Sequence, residues 1–523
     1  MRSRPIRSLL APLAVCLLGL GLTASPARAA EWSPGVALTD QLGKEDSLLP
    51  VVSVAPNGAA IATWRNAMDD SVRYAERPAG GSFSGRTALE TGAPAFMSTR
   101  PAVAINAAGA AVAAWAAGSF SEEVVRASYR PAGGSFSPPV TISAAGKDAT
   151  APDVAITAGG KAIVVWSVGL GSLGERFVEA STHGTAGGFN TGQVLNDNDD
   201  TGSLLPVQPR LGLDGNGNAI AVFPTIRPGG PGNVAPVEWA PLSSGATAFG
   251  APVDLEAGFV PDVALSPDGR ATVVWQDEGT VYAAEQASAG GAFGSAKPVS
   301  DAGEANANTA RVGVDGSGTA TVTFQTGTPS SVVRYATRPA GGSFAAPVTL
   351  SSAGNSGSAE LAVDAAGNAA AVWTRFNGSI ETVEAAYRPA GAGFNAAKTL
   401  TKPGQPGILA DVAIDAGGNA TAVWQSTASF GVVWTSAYGE GGTTPPPGEG
   451  GGGNPGGGSG GGGSSGSGSS GSSGAGPGPT AAPAPAPRSA AKKPLKCGKG
   501  KKKKTVGGKP KCVKAKPQQK GKR

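Results

Sequence analysis

The chain has 523 residues, of which 82 are Gly and 42 Pro, with three Cys and a single His. Charged residues make up 15%, below the roughly 25% usual in soluble globular chains, while the 40% hydrophobic share is too high for a wholly disordered one. One His and so few Cys leave too few ligands for a structural zinc site or a thiol–histidine dyad, and nothing in the composition calls for a metal or a cofactor.

Residues 1–30 read as a secretory signal. Arg2, Arg4 and Arg7 precede an apolar stretch from Ser8 to Leu22, and Ala27-Arg28-Ala29 is a small-residue cleavage site. Removal of this segment predicts a secreted chain with no transmembrane segment and, with Cys16 gone, only Cys497 and Cys512 remaining.

Residues 31–442 repeat. The unit is clearest at Glu360-Leu-Ala-Val-Asp-Ala-Ala-Gly-Asn-Ala-Ala-Ala-Val-Trp373, and it recurs from Asp411 to Trp424. Six further copies end at Trp64, Trp115, Trp166, Phe223, Trp275 and Phe324. Each carries a Gly six residues before the aromatic. Trp64 and Trp424 lie 360 residues apart over seven steps, so one unit is about 51 residues long. Apolar positions alternate with period two, which predicts strands.

Each unit divides into four strands. A short turn with Asp, Asn or Ser first and Gly three residues later joins the first two strands (Asp364 and Gly367, Asp415 and Gly418). The third strand is of the Val-Arg-Tyr-Ala-x-Arg type. It ends in Arg-Pro-Ala-Gly-Gly-Ser-Phe at 77–83, 130–136 and 338–344, with a variant at 388–394. The fourth is a Pro-Val-Thr-Leu or Pro-Val-Thr-Ile segment. Eight such units predict an all-β, eight-bladed β-propeller. The eighth unit stops near Tyr438 without a fourth strand. Trp32-Ser-Pro-Gly-Val-Ala-Leu-Thr39 copies Phe136 to Ser143, so the N-terminal segment is expected to complete the last blade and remove the open edges.

Ser266-Pro-Asp-Gly-Arg-Ala-Thr-Val-Val-Trp275 resembles the unit of TolB-like propeller repeats, and the pattern as a whole is similar to secreted bacterial propellers of the TolB-like and sialidase-like kind. That resemblance implies a fold over 31–442 rather than an activity.

The first and third turns of every blade fall on one face, and the second turns and the blade-to-blade connections on the other. Only the second set varies, so it is where specificity is expected. Its acids, Asp69, Asp70, Glu122, Glu123, Asp277 and Glu278, are the candidate binding residues for an unknown ligand. Glu45, Asp46, Asp301 and Glu304 accompany them. Arg77, Arg130, Arg338 and Arg388 predict a more basic opposite rim. His183 stands where other units have the Arg-Pro-Ala-Gly turn, so it reads as a turn substitution, and no catalytic set assembles around it. Asp197 to Gly202 offers clustered oxygens, but Gln208 stands where a calcium loop has Glu.

Residues 443–487 form a Gly/Ser/Pro-rich linker, expected to be disordered with a reach of roughly 40 Å as a coil. Residues 488–523 hold 16 Lys and Arg and no acid, whereas 31–442 hold 22 against 36 acids. This Lys-rich tail resembles paired-Cys endings of secreted proteins from high-GC Gram-positive bacteria. Gly507-Gly508 is expected to turn a hairpin, with a Cys497–Cys512 disulfide closing the loop. Its charge favours anionic cell-wall or surface polymers. The expected function is therefore an exported, non-enzymatic binding or scaffold propeller held at the cell surface by a cationic tail. The alternative is a carbohydrate-active propeller enzyme, sialidase-like or another glycosidase or lyase.

Overall fold

A computed structural model describes residues 30–39, 45–92, 99–119, 122–169, 176–184, 187–196, 208–225, 236–304, 306–327, 330–352, 354–427 and 430–439, together with the backbone of 501–506 and 509–514. The signal segment, the linker, Asp197 to Gly202 and Cys497 lie outside these residues. The chain divides into two compact units, 1–449 and 450–523. No helix long and apolar enough to cross a membrane occurs among the described residues.

The first unit is an eight-bladed β-propeller of four-stranded antiparallel sheets. Blade 1 is Ser47–Val54, Ala60–Asn66, Ser71–Arg77 and Ser84–Glu90. Blades 2 to 7 repeat this order, with first strands Ala102–Ile105, Asp148–Ile156, Arg210–Leu213, Phe259–Leu265, Asn308–Val314 and Ser356–Val363. Blade 8 contributes Gly407–Ile414, Ala420–Ser426 and Val432–Tyr438. Its fourth strand is Val36–Ala37, with Val36 opposite Thr435 and Trp32 bridged to Tyr438. The ring is thus closed by the N-terminal segment. Each first strand touches the first strands of both neighbouring blades, so these eight strands surround the axis.

Burial explains the sequence of the second strands. In blade 2, Ala111–Ala117 is buried at every position, because both faces of a blade are covered by its neighbours. Period two survives as a choice of neighbour. Ala111, Ala113, Trp115 and Ala117 pack with Ile61, Val72 and Leu89 of blade 1, whereas Val112 and Ala114 pack with Val164 and Trp166 of blade 3. Close approach is needed near the axis. A Cβ on Gly313 would stand 2.3 Å from Val363 Cγ2 in the next blade.

The repeated turn works as read from the sequence. Asp415 Oδ1 accepts the amides of Gly417 and Asn419 at 2.9 and 2.8 Å, and Gly418 takes a φ of 79° that side chains disfavour. The repeated arginines do not form an open basic rim. Arg130, Arg338 and Arg388 are buried. Each guanidinium stands over the Phe of its own third turn, at 5.3, 5.4 and 5.6 Å for Phe136, Phe344 and Phe394. Arg130 and Arg338 also pair with Glu76 and Glu285 of the preceding blade. They are seam clamps. His183 occupies the same position in blade 3, where its ring stacks on Tyr129 of blade 2 at 4.0 Å and meets Phe189 edge-on. In blade 8 Tyr438 does the same against Tyr387, at 3.8 Å.

The fourth strands are mostly two residues long (Val140–Thr141, Val348–Thr349, Lys398–Thr399), which leaves little exposed edge for unwanted pairing. In the second unit, Lys501–Val506 pairs antiparallel with Lys509–Lys514, with Cys512 opposite Lys503.

Candidate functional site

The six predicted acids lie on the variable face but do not converge. Asp69 and Asp70 follow the second strand of blade 1. Asp69 Oδ2 meets Arg73 at 2.5 Å, its Oδ1 accepts from Ser71 Oγ at 2.6 Å, and Arg73 also reaches Glu45 at 2.9 Å. Partial burial would raise the Asp69 carboxyl, but the hydrogen bonds from Ser71 and Arg73 outweigh it and hold it below the usual range. Asp70, at a φ of 49°, pairs with Arg65 at 3.1 Å. In blade 2, Glu122 accepts from Ser119 Oγ at 3.3 Å, and Glu123 is buried with its amide on Asp148. Asp277 and Glu278 belong to blade 5, across the ring from blade 1. Asp277 pairs with Thr280 around a two-residue turn in which Glu278 and Gly279 have φ of 43° and 79°, as a tight right-twisted hairpin requires. Asp301 and Glu304 both hold Arg334. Glu45, Asp69, Asp70, Asp301 and Glu304 are thus engaged with arginines of the same face.

The same face carries an apolar arc. Met68, Phe376 and Phe430 are 54%, 42% and 48% exposed; Met68 and Phe430 sit on the second connections of blades 1 and 8, and Phe376 ends the second strand of blade 7, so the three lie on consecutive blades. Among the described residues the other large exposed hydrophobics, Val140, Val194, Val253 and Val348, are all on outer strands. Hydrogen bonds tie the loops that bear Phe430 and Met68. Gly431 donates to Asp46 Oδ1, and Ala67 donates to the Asp46 carbonyl, each at 2.8 Å.

Sequence reasoning passed over two sets of residues. The first is a group of carboxylates beneath the repeated tryptophans. The indole N–H of Trp166 donates to Glu179 at 3.1 Å, that of Trp373 to Glu384 at 3.2 Å, and that of Trp115 to Glu90 of blade 1 at 2.8 Å. Arg375 and Arg126 pair with Glu384 and Glu90 in turn.

The second set is a charged belt around the axis. Asp153, Arg210, Asp262, Arg311, Glu360 and Asp411 occupy one equivalent position in the first strands of blades 3 to 8, four residues before the turn residue of each repeat. Blades 1 and 2 have Val51 and Ala102 there, and Arg100 enters from two residues earlier to face Glu360 and Asp411. Asp153, Asp262 and Asp411 each accept an amide from the next blade, those of Leu211, Val312 and Val52, at 2.8 to 2.9 Å. Arg311 grips Glu360 with two nitrogens at 2.8 and 3.3 Å. Burial alone would raise Glu360, but the Arg311 charge outweighs it and brings the carboxyl down to about 2. Asp411 has no such fork. Burial and then the Glu360 charge push it up to about 6. The signal was a repeat column that alternates in charge from Asp153 to Glu360 and ends in a second acid, Asp411, visible only once the repeats are aligned on the turn.

Two shallow clefts open at the outer seams. One of about 220 Å³ lies between blades 4 and 5 beside Glu256, Trp275 and Phe293. One of about 150 Å³ lies between blades 3 and 4 beside Asn190, Gln193 and Phe249. No cluster of three or more His, Cys, Asp or Glu able to hold a metal occurs among the described residues.

No known protein family matches the chain, and no curated protein matches it. Solved structures are similar to the chain at low identity. A protein of unknown function from Dyadobacter fermentans is 10% identical, with a TM-score of 0.42, over 78% of this chain and 98% of its own. A lectin from Burkholderia pseudomallei is 14% identical, with a TM-score of 0.47, over 68% and 100%. An α-L-arabinofuranosidase of Fusarium graminearum is 14% identical, with a TM-score of 0.36, over 56% and 92%.

Proposed function

We propose that the chain is exported under its first 30 residues and acts as a non-enzymatic binding or scaffold propeller, retained at the cell surface by its cationic tail. The observation that carries this reading is the arc of Met68, Phe376 and Phe430 on three consecutive blades of the variable face. Large apolar side chains exposed at the variable ends of neighbouring blades offer points of contact for a partner. The surrounding charges favour contact over chemistry. Asp69, Asp70, Glu90, Glu304 and Glu384 each hold a cation that belongs to the fold, and His183 sits in a seam clamp. The exported Cys497 and Cys512 are free to pair, and the lysines of 488–523 supply the attraction to anionic wall polymer.

The test is retention of the full chain on isolated cell walls, beside a chain ending at residue 487, across a salt series. Retention that needs the tail and falls with salt is the expected result. In parallel, the full chain and a Phe376→Ala/Phe430→Ala variant are screened against glycans and wall polymers. Loss of a captured ligand only in the variant supports the arc. Cleavage of any screened polymer by the wild type overturns the non-enzymatic reading.

A further inference from the structure

We infer that Asn377 and Gly378, at the tip of the second connection of blade 7, form a self-modifying site. The Gly378 nitrogen closes on the Asn377 side-chain amide to give a cyclic imide, which water then opens to an aspartate or an isoaspartate. The site stands whatever the propeller binds.

Asn-Gly occurs three times in the chain, at 57–58, 216–217 and 377–378. Glycine has no Cβ, so the nitrogen that must attack is unhindered by a side chain in all three. Structure decides between them. The nitrogen must give up its proton to solvent, and the side-chain carbonyl must take up charge as the new bond forms. The first two pairs belong to the repeated turn between first and second strands. Gly58 is buried and donates to the Ala55 carbonyl at 2.8 Å, and Gly217 is buried and donates to the Asp214 carbonyl at 3.3 Å. Asn57 is held as well, since its Nδ2 donates to the Ala107 carbonyl of blade 2 at 2.9 Å.

Gly378 differs. It is exposed, a Cβ there would meet nothing within 4 Å, and its amide donates to no group among the described residues. Its φ of 97° closes a turn that glycine takes without strain. Asn377 is exposed too, but its side chain is fixed. Its Oδ1 accepts the amides of Ser379 and Ile380, each at 3.0 Å. Two backbone donors on a carbonyl oxygen stabilise the charge that develops there when a nucleophile adds. Asn57 Oδ1 has one such donor, Ala59 at 3.1 Å, so the state of the Gly nitrogen is what separates the sites most. Blade 7 thus polarises the electrophile and leaves the nucleophile open to water.

The step balances with water alone. The bond from Gly378 N to Asn377 Cγ forms, the Cγ–Nδ2 bond breaks, and Nδ2 leaves as ammonia with the equivalent of the proton that Gly378 gave up. Water then adds to one imide carbonyl and breaks its bond to the Gly378 nitrogen. Attack at Cγ gives aspartate, and attack at the main-chain carbonyl gives isoaspartate. Either product places a carboxylate beside the exposed Phe376, where a neutral amide stood.

The experiment is timed incubation of the full chain at mildly alkaline pH, folded and in guanidinium, followed by peptide mass spectrometry at the three pairs. In guanidinium all three are expected to convert at similar rates. In the folded protein Asn377 should convert at least tenfold faster than Asn57 and Asn216, no more slowly than in guanidinium, and faster as the pH is raised. Equal folded rates at the three pairs overturn the inference, as does folding that protects Asn377 as strongly as the other two. Conversion of Asn377 that leads the others but is slowed by folding overturns the role given to the Ser379 and Ile380 amides. Asn377→Gln would close a larger and slower ring, so the first acidic form to accumulate on isoelectric focusing of the folded wild type should be absent from this variant. Its undiminished accumulation there overturns the assignment.

Discussion

Asp411 Oδ2 accepts the amide of Val52 at 2.8 Å, which joins the last blade of the ring to the first beside the axis. The carboxyl that makes this bond is pushed up to about 6 by burial and by Glu360, so its charged form is held at a cost. Its belt neighbour Glu360, gripped by Arg311, is brought down to about 2. Two acids of one belt thus couple to pH with opposite signs.

For Asp411 the folded protein holds the proton more tightly than the unfolded chain. Its contribution is most favourable below about pH 4, is lost as pH rises toward about 6, and is a constant penalty above that. Asp411→Asn keeps an oxygen for the Val52 amide and removes the charge. It is expected to raise stability at pH 7 by on the order of 1–3 kcal/mol and to leave stability at pH 4 nearly unchanged. Denaturant unfolding of both proteins at the two pH values checks this. Equal differences at both would show that the charge is not the cause.

Glu360→Gln has the reverse sign. The carboxylate stabilises the fold above its unfolded range near pH 4, and that contribution fades as pH falls toward about 2. The pair is only partly shielded, with 13% and 25% side-chain exposure, so the loss at pH 7 is about 1–3 kcal/mol rather than that of a fully buried pair. The variant and the wild type should converge in acid, as read from urea midpoints.

Arg338 clamps blades 5 and 6 through Glu285 and Thr272 while standing over Phe344. Arg338→Lys keeps the charge and loses the planar fork. It should lower stability by about 1–3 kcal/mol, and Arg338→Ala by more. The thermal midpoint of the two variants tests the order. An Arg338→Lys variant as stable as the wild type would mean that charge alone suffices.

Trp32 is buried against Tyr438, with ring centroids 5.6 Å apart. Trp32→Ala should cost about 3–5 kcal/mol and loosen the closing strand first. Hydrogen exchange should rise over Val432–Tyr438 well before it rises in blade 4. Uniform acceleration around the ring would contradict a closure that opens locally.

Gly313→Ala tests the axial packing, since the added Cβ would meet Val363 Cγ2 at 2.3 Å. A loss of about 1–3 kcal/mol is expected, measured by chemical denaturation. A neutral result would place the first strands of blades 6 and 7 farther apart.

Much of this molecule could be read from residue order alone. Eight turns with Gly at a fixed distance before an aromatic, and a copied segment at Trp32–Thr39, specify four-stranded units and the manner of their closure, because turn chemistry and strand period are local properties of the chain. Which charges are surface and which are mortar was decided only by tertiary structure. Arg130 and Arg338 look like exposed strand ends until the neighbouring blade brings Glu76 and Glu285 to them. Asp153, Arg210, Asp262, Arg311, Glu360 and Asp411 look like isolated solvating charges until the ring gathers their strands around one axis. The partner of each is supplied by a blade about fifty residues away or more, and no local pattern encodes that distance.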